Sequence, residues 1–149
     1  MLIRPATPGD FLEIAALDRQ AWGAGELERY IPDGEHAWRL WTEHALVYCA
    51  ESHGVITGAV LAFPCLDGGF CVHKVFVSEK HRGAGIGSRL LERALEETDR
   101  RGVRTFLTVN PENKQAIGVY EKWGFENSQL IEGYYRPEEH RCVFVREPQ

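Results

Sequence analysis

The chain has 149 residues, of which 44% are hydrophobic and 26% charged, and its formal net charge is −5. This is an ordinary globular composition, and the length predicts one domain over residues 1–149 rather than two. The acidic balance argues against nucleic acid as a partner and suits a cationic substrate. The sequence has no signal-peptide layout and no apolar run near ~20 residues, which predicts a soluble cytoplasmic protein with no membrane partner.

The four cysteines, Cys49, Cys65, Cys71 and Cys142, are scattered and mostly lie within apolar runs. They form no C-x-x-C pair, and no histidine stands at a zinc-ligand spacing. We therefore expect reduced, buried thiols and no metal site.

The N-terminal third predicts a strand followed by two helices. Leu2 to Ala6 forms the strand, and Phe11 to Trp22 forms an amphipathic helix that begins after Thr7-Pro8. Gly23 to Gly34 is rich in glycine and is expected to be irregular. Glu35 to His44 then carries apolar residues at helical spacing.

The middle of the chain predicts an antiparallel meander of three strands, Ala45 to Ala50, Val55 to Phe63 and Cys71 to Val77. A helix from Ile86 to near Gly102 follows, and it leads by a right-handed crossover into a parallel strand, Val103 to Val109. The C-terminal part predicts a helix opened by Pro111 and capped by Asn110, then two short strands. These strands cover Ser128 to Ile131 and Cys142 to Arg146.

A glycine-rich turn joins the third strand of the meander to the helix that follows. Its residues are Arg82, Gly83, Ala84, Gly85, Ile86, Gly87 and Ser88. Glycines allow close approach of a ligand to the backbone, and the helix start offers unpaired N–H groups to an anion such as pyrophosphate. A triphosphate loop needs Lys-Ser/Thr where this chain has Ser88-Arg89, and a dinucleotide site needs G-x-G-x-x-G rather than the G-x-G-x-G found here.

This turn resembles motif A of the GCN5-related N-acetyltransferase (GNAT) family, whose pattern Gln/Arg-x-x-Gly-x-Gly/Ala is met by Arg82, Gly85 and Gly87. A second segment, from Asn113 to Phe125, is similar to the later family pattern N-x-x-A-x-x-x-Y-x-x-x-G-F. The two motifs span the second half of the chain, whereas the first half matches only in its order of elements. The resemblance implies an α/β (α+β) GNAT fold, with a mixed, mostly antiparallel central sheet, splayed parallel central strands and flanking helices.

The resemblance also implies an N-acetyltransferase that takes its acetyl group from acetyl-CoA and passes it to a primary amine by direct attack through a tetrahedral intermediate. In the family, backbone N–H groups of the motif A strand hold the pantetheine and the carbonyl. Residues implied to bind acetyl-CoA are Val75, Phe76 and Val77, then the turn Arg82, Gly83, Ala84, Gly85, Ile86, Gly87 and Ser88, and finally Asn113. Asn113 could equally cap its own helix, and the two roles are compatible.

Two side chains are candidates for catalysis. The resemblance implies Tyr120 as the general acid for the leaving sulfur, although its helical position is also that of a half-buried aromatic. His73 is the candidate base, because several members place a Glu or His at this point of the strand or two residues earlier, where Cys71 stands here. Ribosomal-protein N-terminal acetyltransferases have a Glu at the position of Thr108. A histidine packed in the core is the alternative for His73.

The acceptor has two alternatives. Tyr134-Tyr135 is similar to the tyrosine pair with which protein N-terminal acetyltransferases grip a peptide, which favours a peptide N-terminus. Four acidic residues near the irregular segment instead favour a small-molecule amine. These residues are Glu26, Glu28, Asp33 and Glu35.

A hypothesis of a different class is a catalytically idle GNAT module that binds acyl-CoA as a regulatory ligand or serves as a subunit surface. Tyr120 and the intact glycine turn favour the enzyme, while the unassigned base keeps the idle module open. Many family members dimerise, so the resemblance leaves a homodimer open, but no segment of the sequence indicates an interface.

Overall fold

The computed structural model describes residues 1–22 and 33–149, and its elements follow the predicted order β-α-α-β-β-β-α-β-α-β-β. The strands are β1 (Leu2–Pro5), β2 (Leu46–Ser52), β3 (Val55–Pro64), β4 (Phe70–Val77), β5 (Thr105–Val109), β6 (Glu126–Ile131) and β7 (Arg141–Arg146). The helices are α1 (Phe11–Trp22), α2 (Glu35–His44), α3 (Ile86–Arg101) and α4 (Lys114–Lys122). None of the helices within the described ranges has the length and apolarity needed to cross a bilayer.

The seven strands form one sheet in the order β1-β2-β3-β4-β5-β7-β6. Neighbours in this sheet are antiparallel except β4 and β5, which run parallel through the crossover helix α3. That parallel pair is short: only Phe70 with Thr105 and Cys71 with Phe106 are in register. Beyond Cys71 the two strands separate, so the prediction of splayed central strands is confirmed.

The helices cover the two faces of this sheet. One face of β2, β3 and β4 packs against α1 and α2 in a cluster that includes Ile14, Trp38, Cys49, Leu61 and Phe76. The alternate residues of β2 and β3 pack against α3, as in the cluster of Tyr48, Ala50, Val60, Ile86, Leu90 and Ala94. Because successive side chains of a strand point to opposite faces, β2 and β3 contribute to two cores, one on each face of the sheet. A third cluster joins α3 and α4 to β5 and β7.

A β-bulge interrupts β4 close to the point where it leaves β5. Leu61 pairs with Lys74 and the next residue, Ala62, pairs with Val72, so His73 is one extra residue in β4. Without the bulge, His73 and Lys74 would face opposite sides of the sheet. With it, both side chains lie on the face covered by α1 and α2.

The start of α4 differs from the prediction. Asn110 does not cap it, because its Oδ1 accepts the N–H of Glu112 at 3.0 Å in a local turn. The helix begins three residues later than Pro111, at Lys114, and its cap is Asn113, whose Oδ1 accepts the N–H of Ala116 at 3.2 Å. Asn110 and Asn113 are both able to cap a helix and lie three residues apart. Asn110 forms a local turn, and Asn113 caps α4.

The cysteines are free thiols, and all but Cys65 are buried. Burial raises the pKa of Cys49 to about 11 and that of Cys71 to about 12. Both thiols are therefore protonated at neutral pH, and Cys71 is excluded as a base on β4.

Candidate active site

A cavity of about 600 Å³ opens where β4 and β5 separate. Its wall takes residues 72–77 from β4, residues 107–109 from β5 and one side of α4, with the start of α3 at one end. The described residues of the wall are Ala21, Val72, His73, Lys74, Val75, Phe76, Val77, Arg82, Gly87, Ser88, Leu91, Leu107, Thr108, Val109, Asn113, Gln115, Ala116, Val119, Tyr120 and Arg141. None of these side chains is a carboxylate, so the charged groups that the described residues contribute to the wall are cationic.

The glycine-rich turn forms one end of this cavity. Gly83 and Gly85 have φ values of 85° and 78°, a left-handed backbone that side chains other than glycine rarely adopt. Gly85 precedes α3, and the first intrahelical bond runs from Arg89 N to Gly85 O at 3.1 Å. The N–H groups of the first turn of α3, including Gly87 and Ser88 in the wall, therefore have no acceptor within the helix.

Arg82 holds the turn against the neighbouring elements. Its Nε donates to Val77 O at 3.2 Å, and its Nη2 donates to Ala21 O at 3.2 Å, at the end of α1. The guanidinium therefore stays within the wall, beside the start of α3. This is a geometry in which main-chain N–H groups and one fixed positive charge are available to an anion.

The strand residues Val75, Phe76 and Val77 line the cavity along β4. Their side chains belong to the cores: Phe76 is 6% exposed and its ring lies edge-on to Trp38, with 5.8 Å between ring centroids. What this part of β4 can offer a ligand is its backbone, since β5 no longer pairs with it.

Tyr120 and Asn113 lie in the wall on α4 and at its cap. The Tyr120 ring is half-buried and stands edge-on to Phe125, with 6.0 Å between centroids. The capping bond of Asn113 fixes the start of the helix. Both residues thus line the cavity at α4, while their predicted roles in binding and catalysis remain predictions.

His73 lies in the wall on the bulge of β4 and contacts a carboxylate. Its Nε2 is 3.0 Å from Asp33 Oδ2, and its ring packs between Trp41 and Phe63 with centroid distances of 5.5 and 5.7 Å. About a third of the side chain is exposed, so His73 is not enclosed in the core. An imidazole with one nitrogen on a carboxylate and one side on a cavity has the geometry of a general base.

Lys74, beside His73, forms a buried charged cluster with Asp18 and Asp33. The Lys74 Nζ lies 3.0 and 2.8 Å from the two oxygens of Asp18 and 2.6 Å from Asp33 Oδ2. Asp18 is fully buried and also accepts the Trp38 indole N–H at 3.0 Å. Burial raises the pKa of Asp33, but the hydrogen bonds from His73 and Lys74 outweigh it and hold that pKa below its ordinary value.

The sequence interpretation missed Asp18 and Lys74, although the sequence contains signs of both. Asp18 stands four residues after Ile14, on the apolar stripe of α1, where a charge needs a buried partner. Lys74 is a single charge within the apolar run of a central strand. A carboxylate and an ammonium that both sit at core positions are good candidates for a mutual contact.

The predicted acidic acceptor residues are divided by the structure. Asp33 joins the charged cluster, whereas Glu35 lies on the exposed start of α2, with Oε1 3.8 Å from Arg19 Nη1, and is not in the cavity wall. Glu26 and Glu28 lie outside the described residues.

The tyrosine pair lies in the turn between β6 and β7. Tyr134 and Tyr135 are 42% and 44% exposed and stand edge-on to each other, with 4.9 Å between ring centroids. Arg141, which lines the cavity, places its guanidinium 5.2 Å from the centre of the Tyr135 ring. The pair is therefore next to the cavity wall rather than part of it.

Thr108 lies in the wall on β5. This chain therefore has a hydroxyl at the position where ribosomal-protein N-terminal acetyltransferases have a Glu. Within residues 1–22 and 33–149, no group of three or more His, Cys, Asp or Glu side chains is arranged to hold a metal ion. Among the described residues, the wall offers the imidazole of His73 at the bulge and the phenol of Tyr120 on α4, while the neighbouring Lys74 ammonium is held by Asp18 and Asp33.

Comparisons with known proteins agree with this geometry. The Mycobacterium tuberculosis protein named "Probable N-acetyltransferase Rv2775" is 31% identical over 139 residues, which cover 83% of this chain and 78% of that protein. The [ribosomal protein bS18]-alanine N-acetyltransferase of Escherichia coli is 36% identical over 62 residues, 41% of this chain and 42% of that one. Matched segments span from 29% to 78% of the length of the first curated relatives.

The fold is also that of solved structures. The Salmonella typhimurium protein yncA, solved with its cofactor acetyl-CoA, superposes with a TM-score of 0.82 at 20% identity, over 100% of this chain and 94% of that one. The family model described as "Acetyltransferase (GNAT) family" matches residues 11–125, most of the chain. The chain therefore belongs to the GNAT acetyltransferase family.

Proposed function

We propose that this protein transfers an acetyl group from acetyl-CoA to a primary amine by direct attack of the amine. The observation that carries the proposal is that His73 and Tyr120 face one cavity, which begins at the glycine-rich turn and follows the separated edge of β4. An anion site, an unpaired strand edge and two acid–base groups thus occur in one continuous space.

The residues of the wall fit acetyl-CoA in three parts. The N–H groups of residues 86–88 and the Arg82 guanidinium would hold the pyrophosphate. The backbone of residues 75–77 would hydrogen-bond the pantetheine amides, and Asn113 lies in the wall of the same cavity. The bound thioester supplies an activated acetyl group.

His73 and Tyr120 supply the proton transfers. A substrate ammonium with a pKa near ~10 must lose a proton before it can attack, and the His73 imidazole is placed to take that proton. The Tyr120 hydroxyl would donate a hydrogen bond to the departing sulfur. Because a thiol has a pKa of ~8.5, its thiolate is already a fair leaving group, and the contribution of Tyr120 is modest.

Two acceptor classes are consistent with this site. Tyr134 and Tyr135, exposed beside Arg141, support a peptide N-terminus as the acceptor. Asp33 supports a small amine, although its carboxylate already accepts from two side chains, and Glu35 lies outside the cavity wall. The alternative function, an idle module that binds acyl-CoA, rests on Thr108 standing where related enzymes have a carboxylate base.

The test is release of free CoA thiol from acetyl-CoA, measured against peptides with free N-termini and against a panel of small amines. Release that requires a peptide selects a protein N-terminus and predicts that Tyr134→Ala raises the peptide KM. Release that requires a small amine selects the other acceptor class. Acetyl-CoA binding by calorimetry without release on any acceptor would contradict the transferase and support the idle module.

A further inference from the structure

Asp33 connects His73 to the buried charged cluster. One oxygen, Oδ2, lies 3.0 Å from His73 Nε2 and 2.6 Å from Lys74 Nζ. Lys74 is fixed in turn by both oxygens of Asp18. This arrangement requires the β4 bulge, because only the extra residue brings His73 and Lys74 to the same face of the sheet.

The cluster places a formal negative charge beside the His73 ring. Asp18 and Asp33 contribute two negative charges and Lys74 one positive charge, which leaves one negative charge beside a neutral imidazole. Asp18 and Lys74 are 0% and 6% exposed, whereas the side chains of Asp33 and His73 are 21% and 34% exposed, so water screens this charge only in part. An imidazolium formed at His73 during the reaction would bring the formal charge of the group to zero.

Asp33 also fixes which imidazole nitrogen can accept a proton. An ionised carboxylate only accepts hydrogen bonds, so His73 Nε2 must donate to it. The lone pair of the neutral ring is then on Nδ1. Other charged or titratable groups near His73 are Lys74 on its own strand, with Tyr120 and Arg141 in the same cavity wall.

We propose that Asp33 is a positioning residue for the base, which holds the His73 ring in the Nε2–H form and stabilises the imidazolium that forms when Nδ1 takes the proton of the acceptor amine. Lys74 and Asp18 hold the Asp33 carboxylate in place. This inference rests on the proposed function, and it gives Asp33 a role other than contact with the acceptor.

The first test needs no activity. The tautomer of the neutral His73 ring is read by NMR from its two ring-nitrogen signals, which are assigned by their loss in His73→Gln. Asp33→Asn, which keeps the size of the side chain and removes its charge, should weaken the preference of the ring for the Nε2–H form. Glu35→Gln is the matched control, because it removes a carboxylate two residues away that lies 3.8 Å from Arg19, and it should leave the tautomer unchanged.

The second test is kinetic. Asp33→Asn should lower kcat by about tenfold or more, with little change in the KM of either substrate. In a His73→Gln background the same change should have almost no further effect, because Asp33 acts through His73. Asp33→Glu, which retains the charge, should recover part of the activity and serves as a second variant if Asp33→Asn folds poorly.

Three results would overturn the proposal: an unchanged His73 tautomer in Asp33→Asn, effects of Asp33 and His73 that add, or a raised acceptor KM at unchanged kcat. The last result would show that Asp33 contacts the acceptor. If the wild-type protein transfers acetyl to no amine, the proposed function fails, and the ring-nitrogen signals still decide whether Asp33 controls the imidazole.

Discussion

Tyr120 lines the cavity from the last turn of α4, together with Ala116 and Val119, and its ring packs against Phe125. The packing of the ring and the chemistry of the hydroxyl can therefore be separated by removing the oxygen alone. Loss of the oxygen keeps the volume and the edge-on contact.

Tyr120→Phe is expected to lower kcat by about tenfold, because the leaving sulfur loses a hydrogen-bond donor but remains a fair leaving group. The affinity for acetyl-CoA, measured by calorimetry, should change little. Tyr48→Phe is the control, since Tyr48 lies in the cluster under α3 and is not in the described wall. An unchanged kcat in Tyr120→Phe would remove the proposed role.

Asp10 shows how single charges secure the N-terminal strand. Arg4 on β1 lies 2.9 Å from Asp10 and 2.7 Å from Glu51 on β2. The hydrogen bond from Arg4 is the main cause that holds the pKa of Asp10 at about 2, below its ordinary value. Because folding lowers the pKa of Asp10, the contact between Asp10 and Arg4 stabilises the folded state. This stabilisation is complete above pH ~4 and is lost as the pH falls through about 2.

Asp10→Asn should therefore lower the free energy of unfolding by about 1–2 kcal/mol at pH 7, after allowance for the partial exposure of the pair. The difference between wild type and variant should shrink as the pH falls from about 4 to 2. Urea unfolding at several pH values measures it. A difference that stayed constant over this range would show that the Asp10 charge is not its source.

The residues of the site were only partly predictable from the sequence. Arg82, the glycines and Tyr120 stand at fixed spacings within two short segments, so the chain itself records their arrangement. The contact between His73 and Asp33 spans 40 residues and depends on a bulge. A bulge leaves no mark in an apolar run, because it needs only one extra residue and a register shift with β3.

The two ends of α3 have the same backbone conformation and different surroundings. Gly85 before the helix and Gly102 after it have φ values of 78° and 66°, and a Cβ at either position would meet no atom within 4 Å. The steric cost of alanine is thus a backbone cost alone at both ends. Only Gly85 lies in the turn that borders the cavity.

Gly85→Ala and Gly102→Ala should each lower the free energy of unfolding by about 1–2 kcal/mol. Gly85→Ala should also weaken acetyl-CoA binding by at least about tenfold, because it shifts the N–H groups that begin α3, whereas Gly102→Ala should not. Thermal unfolding and calorimetry measure the two effects. Equal losses of affinity in both variants would place the pyrophosphate elsewhere.

Element boundaries were predictable where one residue type decides them. The bounds of α1 and α2 match the prediction, and α3 ends at Arg101, next to its capping residue Gly102, as expected. The start of α4 was wrong because Asn110 and Asn113 are both able to cap a helix, and the sequence does not say which of two local turns forms first. The parallel partner of β4 was predictable from chain order and crossover handedness, whereas the extent of the splay required the family resemblance.

The last strand of the chain, β7, lies between β5 and β6 in the sheet. Arg146 at its end is 5% exposed and makes a two-pronged contact with Asp99 on α3, at 2.6 and 2.9 Å. It also donates to the Trp123 carbonyl at 2.7 Å. One side chain thus joins three elements that are distant in sequence.

Arg146→Met should lower the free energy of unfolding by about 2–4 kcal/mol, because Asp99 keeps its charge and loses its main partner. Arg104→Met is the control: the Arg104–Glu147 pair at 3.1 Å is exposed at both ends and should contribute less than about 0.5 kcal/mol.

Urea unfolding followed by both Trp fluorescence and circular dichroism also tests the single domain predicted for residues 1–149. Separate transitions for the two probes would contradict it.

The early separation of β4 from β5 also affects hydrogen exchange. β4 is the fourth of seven strands, yet beyond Cys71 its side toward β5 pairs with no strand among residues 1–22 and 33–149. Every second amide of this half of β4 should then exchange with deuterated solvent as quickly as amides of an outer strand, although it lies at the centre of the sheet. Addition of acetyl-CoA should slow the exchange of these amides. The middle strand would then owe part of its protection against hydrogen exchange to a small molecule rather than to a neighbouring strand.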